Sequence, residues 1–404
     1  KGELETAGLD GVHTEKVMVP HWIRGVETGR LVAPVDRPLA LTALGGSIAT
    51  PPGGIEAEVI EASSFDELKA AGDRVKGKIV LYNKPILPNS EDHGYGSAVK
   101  LRTEGASEAA RLGGVGSMVR SLGTASFRIP HTGAMRYKDD APKVPAAAIS
   151  AEDAELVHRL ISSGEPVRVR FTLGCETLPD AESANVVADL RGREPGGEIV
   201  LIGAHLDSWD LATGAIDDGA GVAIVMESMR VLKSLGAVPR RTIRAVLFTN
   251  EENGLKGGKG YAADHQGDWA RHVAAIESDS GGGRPKGFTV KAGEGGVEMI
   301  ERLFPGLSGS PDFDIKKGGG GADIGPLLAG GVPQIGLRQD GTHYFDWHHS
   351  PADTLDKIDP EELSLNVAAM AALAWELAEA PGTLPRPAPE VDAEETAPAK
   401  PAVK

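Results

Sequence analysis

A continuous apolar strand that opens directly into a cluster of carboxylates restricts this chain more than any other feature. "EIVLIGA" (198–204) shows no alternation of polar and apolar positions, the pattern of a strand buried on both faces of a parallel sheet. It runs into "HLDSWDLATGAIDD" (205–218), one histidine and four aspartates in fourteen positions. Carboxylates crowded beside a buried strand repel one another and shift towards protonation unless positive charge lies among them. No Lys or Arg occurs between Arg193 and Arg230. Either the segment is a solvated surface loop, or a cation fills the gap.

The rest of 196–380 alternates strands and helices. "TIRAVLFTN" (242–250), "VAAIESD" (273–279) and "VPQIGL" (332–337) read as further buried strands. Between Gly219 and Gly236, Val222, Val225, Met229 and Leu232 recur at helical spacing. The final helix begins at "DPEELSL", with Asp359 as N-cap, Pro360 at the first position and Glu362 closing a capping box. The expected fold class is α/β, a mixed sheet sandwiched by helices.

Residues 31–178 differ. Short β-prone pieces ("EAEVIEA", "GKIVLYN", "VRVRFTL") alternate with two helical stretches, "EGASEAARLGG" and "SAEDAELVHRLISSG". His93, His131 and His158 are scattered there without accompanying carboxylates, so the module reads as β-rich and without a catalytic site of its own. The boundary is expected near "CETLPDAES" (175–183), with 179–380 forming the catalytic domain. Residues 381–404, rich in Pro, Ala and Glu, read as a disordered tail. The net charge of −16 argues against nucleic acid and anionic membranes as partners, and no apolar run reaches the ~20 residues of a membrane span. Cys175 is the only cysteine, so no intrachain disulfide is expected.

Three of these strands end in polar residues: His205-Leu-Asp207, Asn250-Glu251-Glu252 and Glu277-Ser-Asp279. In open α/β sheets, ligands bind beyond the carboxyl ends of the strands. "HYFDWHHSPADT" adds His343, His348 and His349 just before the last helix. Each cluster alone has an ordinary explanation as a polar loop or acidic turn. Together they bring carboxylates and imidazoles, the ligands of divalent zinc, to one sheet edge. "GLKGGKG" (254–260) fails as a phosphate loop in glycine spacing and in its last residue, and "KKGGGGADIG" (316–325) lacks a preceding strand. His-Glu-x-x-His and Gly-x-Ser-x-Gly are absent.

"HLDSWDLATGAIDDGAG", "TNEENG", "ESDSGG" and "HHSPADT" resemble the co-catalytic zinc aminopeptidases and glutamate carboxypeptidases of clan MH. The likeness runs from "VPHWIRG" to "DTLDKIDP". It implies two zinc ions per chain sharing Asp217, with His205 and Asp279 completing one site and Glu252 and His349 the other. Glu251 would be the general base and Asp207 the carboxylate behind His205. His349 rather than His348 matches the family pattern His-Ser-x-x-Asp-Thr, and one of the two rather than both should face the metals because neighbours in an extended segment point opposite ways. In the glutamate carboxypeptidases a tyrosine at the position of His348 contacts the reaction intermediate, so the resemblance implies that His348 donates a hydrogen bond to the oxyanion. The resemblance also implies that 31–178 is an inserted protease-associated domain and that 1–30 is a shortened returning segment of the catalytic domain.

The reading is a secreted or envelope-located exopeptidase acting on short peptides or dipeptides, and the resemblance of the inserted domain implies homodimer contacts. The acidic residues Asp207, Asp210, Asp218 and Glu251, with no cationic clamp at the metals, predict that a free amine is required and a free carboxylate merely tolerated. Carboxypeptidase action is the alternative. A glutaminyl cyclase and a receptor-like relative that has lost its ligands fit less well.

Overall fold

A computed structural model describes residues 1–87, 94–194, 196–305 and 312–390. Two eight-stranded sheets carry the chain. The first is centred on four parallel strands, in the order Thr242–Phe248, Ile199–His205, His272–Glu277 and Gln334–Gln339. Outside these, Glu176–Leu190 and Asp10–Ile23 extend one side with antiparallel pairing. Pro285–Lys291 lies antiparallel on the other side, followed by Asp314–Lys317.

The central strands are apolar throughout because both faces are covered. Val200, Ile202, Ile243, Ala245 and Ile276 face the helices Ala220–Ser234 and Pro360–Glu379 through Ile224, Met229, Met370 and Leu373. Alternate residues Leu201, Val246, Phe248 and Ala275 face Tyr261, Ile324 and Leu327. The expected mixed sheet between helical layers is therefore present. Asp359 caps the last helix, accepting from the N–H groups of Glu361 and Glu362. The reciprocal half of the box is not made, because Glu362 accepts from the Arg284 N–H instead.

The second sheet uses strands between Glu27 and Leu173, in the order 37–39, 27–33, 168–173, 55–62, 79–82, 116–120, 146–149 and 41–43. It has a core on each face, one of which packs under the helix Tyr95–Arg111. That helix begins nine residues before the stretch expected from the sequence. The chain passes between sheets at 24–26 and again at 174–175.

The reading of 381–390 as disordered is corrected. Leu384 is 3% exposed, and Arg386 donates to the carbonyls of Trp269, Ala270, His272 and Gly330. The segment has no periodicity because it docks by backbone and guanidinium contacts rather than by an apolar face. Residues 391–404 and His93 lie outside the described residues. No described helix is long and apolar enough to cross a membrane.

Candidate functional site

The four parallel strands end on one side of the sheet, and the loops leaving them line a cleft of about 520 Å³. That size suits a small ligand. Asp217 lies at its base, 4% exposed, with its two oxygens facing different histidines. His205 Nε2 is 3.2 Å from Asp217 Oδ1 and 3.5 Å from Asp279 Oδ1. His349 Nε2 is 3.1 Å from Asp217 Oδ2 and 3.0 Å from Glu252 Oε2. Two donor sets thus share one carboxylate.

The ring nitrogens are oriented by carbonyls, which can only accept. His205 Nδ1 donates to the Asp207 carbonyl at 2.9 Å, and His349 Nδ1 donates to Thr132 O at 3.3 Å. Both Nε2 atoms are thereby turned into the cleft, the second-sphere arrangement of metal-binding histidines. Donor separations of 3.0–3.5 Å match the edge of a tetrahedron around an ion with bonds of about 2.0–2.1 Å. Glu252 Oε1 is buried without a hydrogen-bond partner. Nitrogen and carboxylate donors of this kind, with an orphaned carboxylate oxygen among them, fit zinc.

Electrostatics agree. Burial pushes Glu251 up to about 9, with the charge of Asp279 adding to it, and burial also raises Glu252 and Asp279. Burial works against protonating His205, but hydrogen bonds to Asp217 and Asp279 outweigh it and raise the imidazole well above its usual range. A buried group of like charges in this state calls for cations, whose own charge reverses these shifts.

Several expectations change in detail. His348 and His349 do not point opposite ways: their rings stack with centroids 3.6 Å apart, and His348 Nε2 also lies 3.4 Å from Asp217 Oδ2. The segment is not extended, since His349 has φ +58°, so the alternation that separates neighbours in a strand does not apply. The Asp207 carboxylate is 3.9 Å from His205 Nδ1, and instead accepts from the N–H groups of Glu251 and Glu252 at 2.9 and 3.2 Å. It fixes the turn that carries the two glutamates. Asp210 is paired with Arg24, and Asp218 is buried on the N–H groups of His205 and Gly221, so neither is a free acid at the rim. His343 is exposed and pairs with Asp346 outside the cleft.

Three positioning residues were not identified from the sequence. Trp209 Nε1 donates to Glu252 Oε2 at 2.6 Å. Asp353 accepts from the N–H groups of Ile216 and Asp217 at 2.6 and 3.2 Å, holding the shared carboxylate from behind. His131 is buried and donates from Nδ1 to His348 O at 2.7 Å, while Thr132 N donates to His349 O at 2.9 Å. The 31–178 region, read from the sequence as having no catalytic site of its own, therefore contributes contacts to this one. The motifs "HLDSWD" and "SPADT" contain Trp209 and Asp353, but nothing in them shows which atoms they hold.

Residues 185–374 match the family model for peptidase family M28. The chain is 38% identical to carboxypeptidase Q of Mus musculus over 383 residues, covering 95% of this chain and 80% of the mouse protein; the Homo sapiens protein is similar to the same extent. A solved structure of a peptidase M28 precursor from Shewanella amazonensis superposes with a TM-score of 0.91 at 41% identity, covering 96% of this chain and 88% of that one. A zinc aminopeptidase from Bacillus subtilis shares the fold, with a TM-score of 0.66 at 20% identity and coverage of 97% and 90%.

Proposed function

The chain belongs to peptidase family M28 and is a metallopeptidase of that family; from this premise we propose that it hydrolyses short peptides from a free N-terminus with two zinc ions. The observation that carries the reading is Asp217, whose two oxygens face two separate histidine–carboxylate pairs. His205, Asp217 and Asp279 would hold one ion, and His349, Asp217 and Glu252 the other. When bound, the pair supplies Lewis acidity that polarises a carbonyl and brings a water's pKa towards neutrality.

The chain's own groups do the rest. Glu251 belongs to neither donor set, although it is adjacent to Glu252, and Asp207 fixes its backbone. A buried carboxylate free of metal can take a proton from water and return it to the departing amine. His348 is held well below its usual range by burial and by the neighbouring His349, so it is a neutral imidazole suited to hydrogen-bonding a developing oxyanion.

Asp217, Glu251, Glu252 and Asp279 line the cleft, and Asp218, Glu277 and Asp323 are buried directly behind it, so the wall beside the metals is acidic. Such a field attracts an ammonium group. The test compares Ala-Ala with N-acetyl-Ala-Ala on zinc-loaded protein. Acetylation is expected to abolish cleavage. Equal cleavage of the two would contradict amine recognition and favour the carboxypeptidase reading.

A further inference from the structure

The Glu252–His349 half of the site leads back to one guanidinium. Arg24 stands where the chain first leaves the catalytic sheet for the second one, and it is 9% exposed. On the catalytic side it grips the Asp210 carboxylate with two donors, Nε to Oδ2 at 2.9 Å and Nη2 to Oδ1 at 2.5 Å. On the second-sheet side Nη1 donates to Ala43 O at 2.6 Å and to the Thr42 hydroxyl at 2.8 Å. Nη2 also donates to the Thr132 hydroxyl at 3.4 Å, which in turn donates to Ala43 O at 2.8 Å. All five N–H groups of the guanidinium are used, across both sides of the junction.

The partners of Arg24 adjoin the groups that place the two ligands. Trp209, which precedes Asp210, donates to Glu252 Oε2, and its ring edge lies against Gly45, two residues after Ala43. A Cβ at position 45 would sit 1.8 Å from Trp209 Cη2, so the second-sheet region walls in the indole. Thr132 exchanges hydrogen bonds with His349, its carbonyl accepting from Nδ1 and its N–H donating to His349 O. Among the described residues, neither His205 nor Asp279 hydrogen-bonds to the second-sheet region. The chain crosses between the sheets at 24–26 and 174–175, so contacts across the junction set how closely the two regions meet.

We propose that Arg24 is a positioning residue that assembles the Glu252–His349 half by drawing the Trp209–Asp210 turn and the Thr132 segment together. The inference rests on the two-zinc reading and deepens it. The His205–Asp279 half is complete within the catalytic sheet, whereas the other half is complete only while the second-sheet region is docked. Docking and the second ion are therefore linked: each strengthens the other by the same factor.

Arg24→Met removes the whole junction. Asp210→Ala removes its catalytic side at a carboxylate that is 54% exposed, and serves if Arg24→Met does not fold. Stepwise chelator titration of the zinc-loaded proteins reads each ion. Both variants should weaken the Glu252–His349 ion by about 10-fold or more, the range for groups that orient a metal ligand, and leave the other ion unaltered. Equal weakening of the two ions, or of neither, overturns the proposal. Hydrogen exchange on the zinc-free protein reads the positioning without metal. The variants should speed exchange of the Glu252 and Thr132 amides and leave those of His205 and Ser278 unchanged. Exchange that is faster at all four, or at none, overturns the proposal as well. A wild type that binds a single ion but shows the expected exchange pattern sinks the two-zinc reading alone, and the role of Arg24 stands.

Discussion

The His205–Asp279 half of the centre and the Glu252–His349 half differ in what holds them. His205 is the last residue of a central strand and Asp279 follows another by two residues, so the sheet itself places both. Glu252 and His349 stand on loops. Glu252 depends on the Asp207 carboxylate and the Trp209 indole, and His349, at φ +58°, depends on Thr132 from the second-sheet region. A ligand on a strand end is positioned by many backbone hydrogen bonds at once. A ligand on a loop is positioned by the few groups that touch it, which makes the second half the easier one to perturb.

The largest expected effect comes from the two stacked histidines. His349→Ala should remove one zinc per chain, leave the His205 half loaded, and lower turnover by at least about 100-fold. His348→Ala should keep both ions and lower kcat by about 100- to 1000-fold, as loss of an oxyanion donor does. Metal analysis alongside kinetics separates them. Zinc loss in His348→Ala with retention in His349→Ala would exchange the two roles.

A gentler change sharpens the contrast between halves. Trp209→Phe keeps a ring beside His349 but removes the hydrogen bond to Glu252. It should weaken zinc at the second half by about 10-fold and leave the first half unaltered. Stepwise chelator titration reads both sites, and equal weakening of the two would show that the halves are not independently held.

The effect most remote from the zinc site lies at the far end of the strand that leads to Asp279. Burial holds His272 down to about 4, with its ring nitrogens on Asp268 O and the Tyr261 hydroxyl. The folded state therefore binds fewer protons here than the unfolded chain. The corresponding stability is complete above about pH 6.5 and is lost as pH falls towards 4, up to about 3 kcal/mol. His272→Gln should flatten that part of the acid-denaturation profile without altering zinc content. An unchanged profile would show that His272 does not contribute to it.

The same division explains what could be read from the sequence. The strand-end half is visible because an uninterrupted apolar run followed by His205 or Asp279 specifies both a buried strand and where it stops. The opposite wall is not. Arg102 and Tyr95 line it from one helix face, but "YGSAVKLRT" contains weak helix formers and only the later "EGASEAARLGG" carries the signal. His131 looks like any isolated histidine until the chain brings it 2.7 Å from a carbonyl 217 residues away. The expectation that His348 and His349 point opposite ways fails because local spacing cannot reveal a left-handed φ at a non-glycine residue.

The central claim is that two zinc ions are held by five residues while Glu251 moves the proton. Zinc content and kcat of Glu251→Gln, measured on the same preparation with a free dipeptide, test it most directly. The account predicts two zinc ions per chain, as in the wild type, with turnover reduced by about 100-fold or more. Loss of an ion from this variant, or turnover close to that of the wild type, would contradict it.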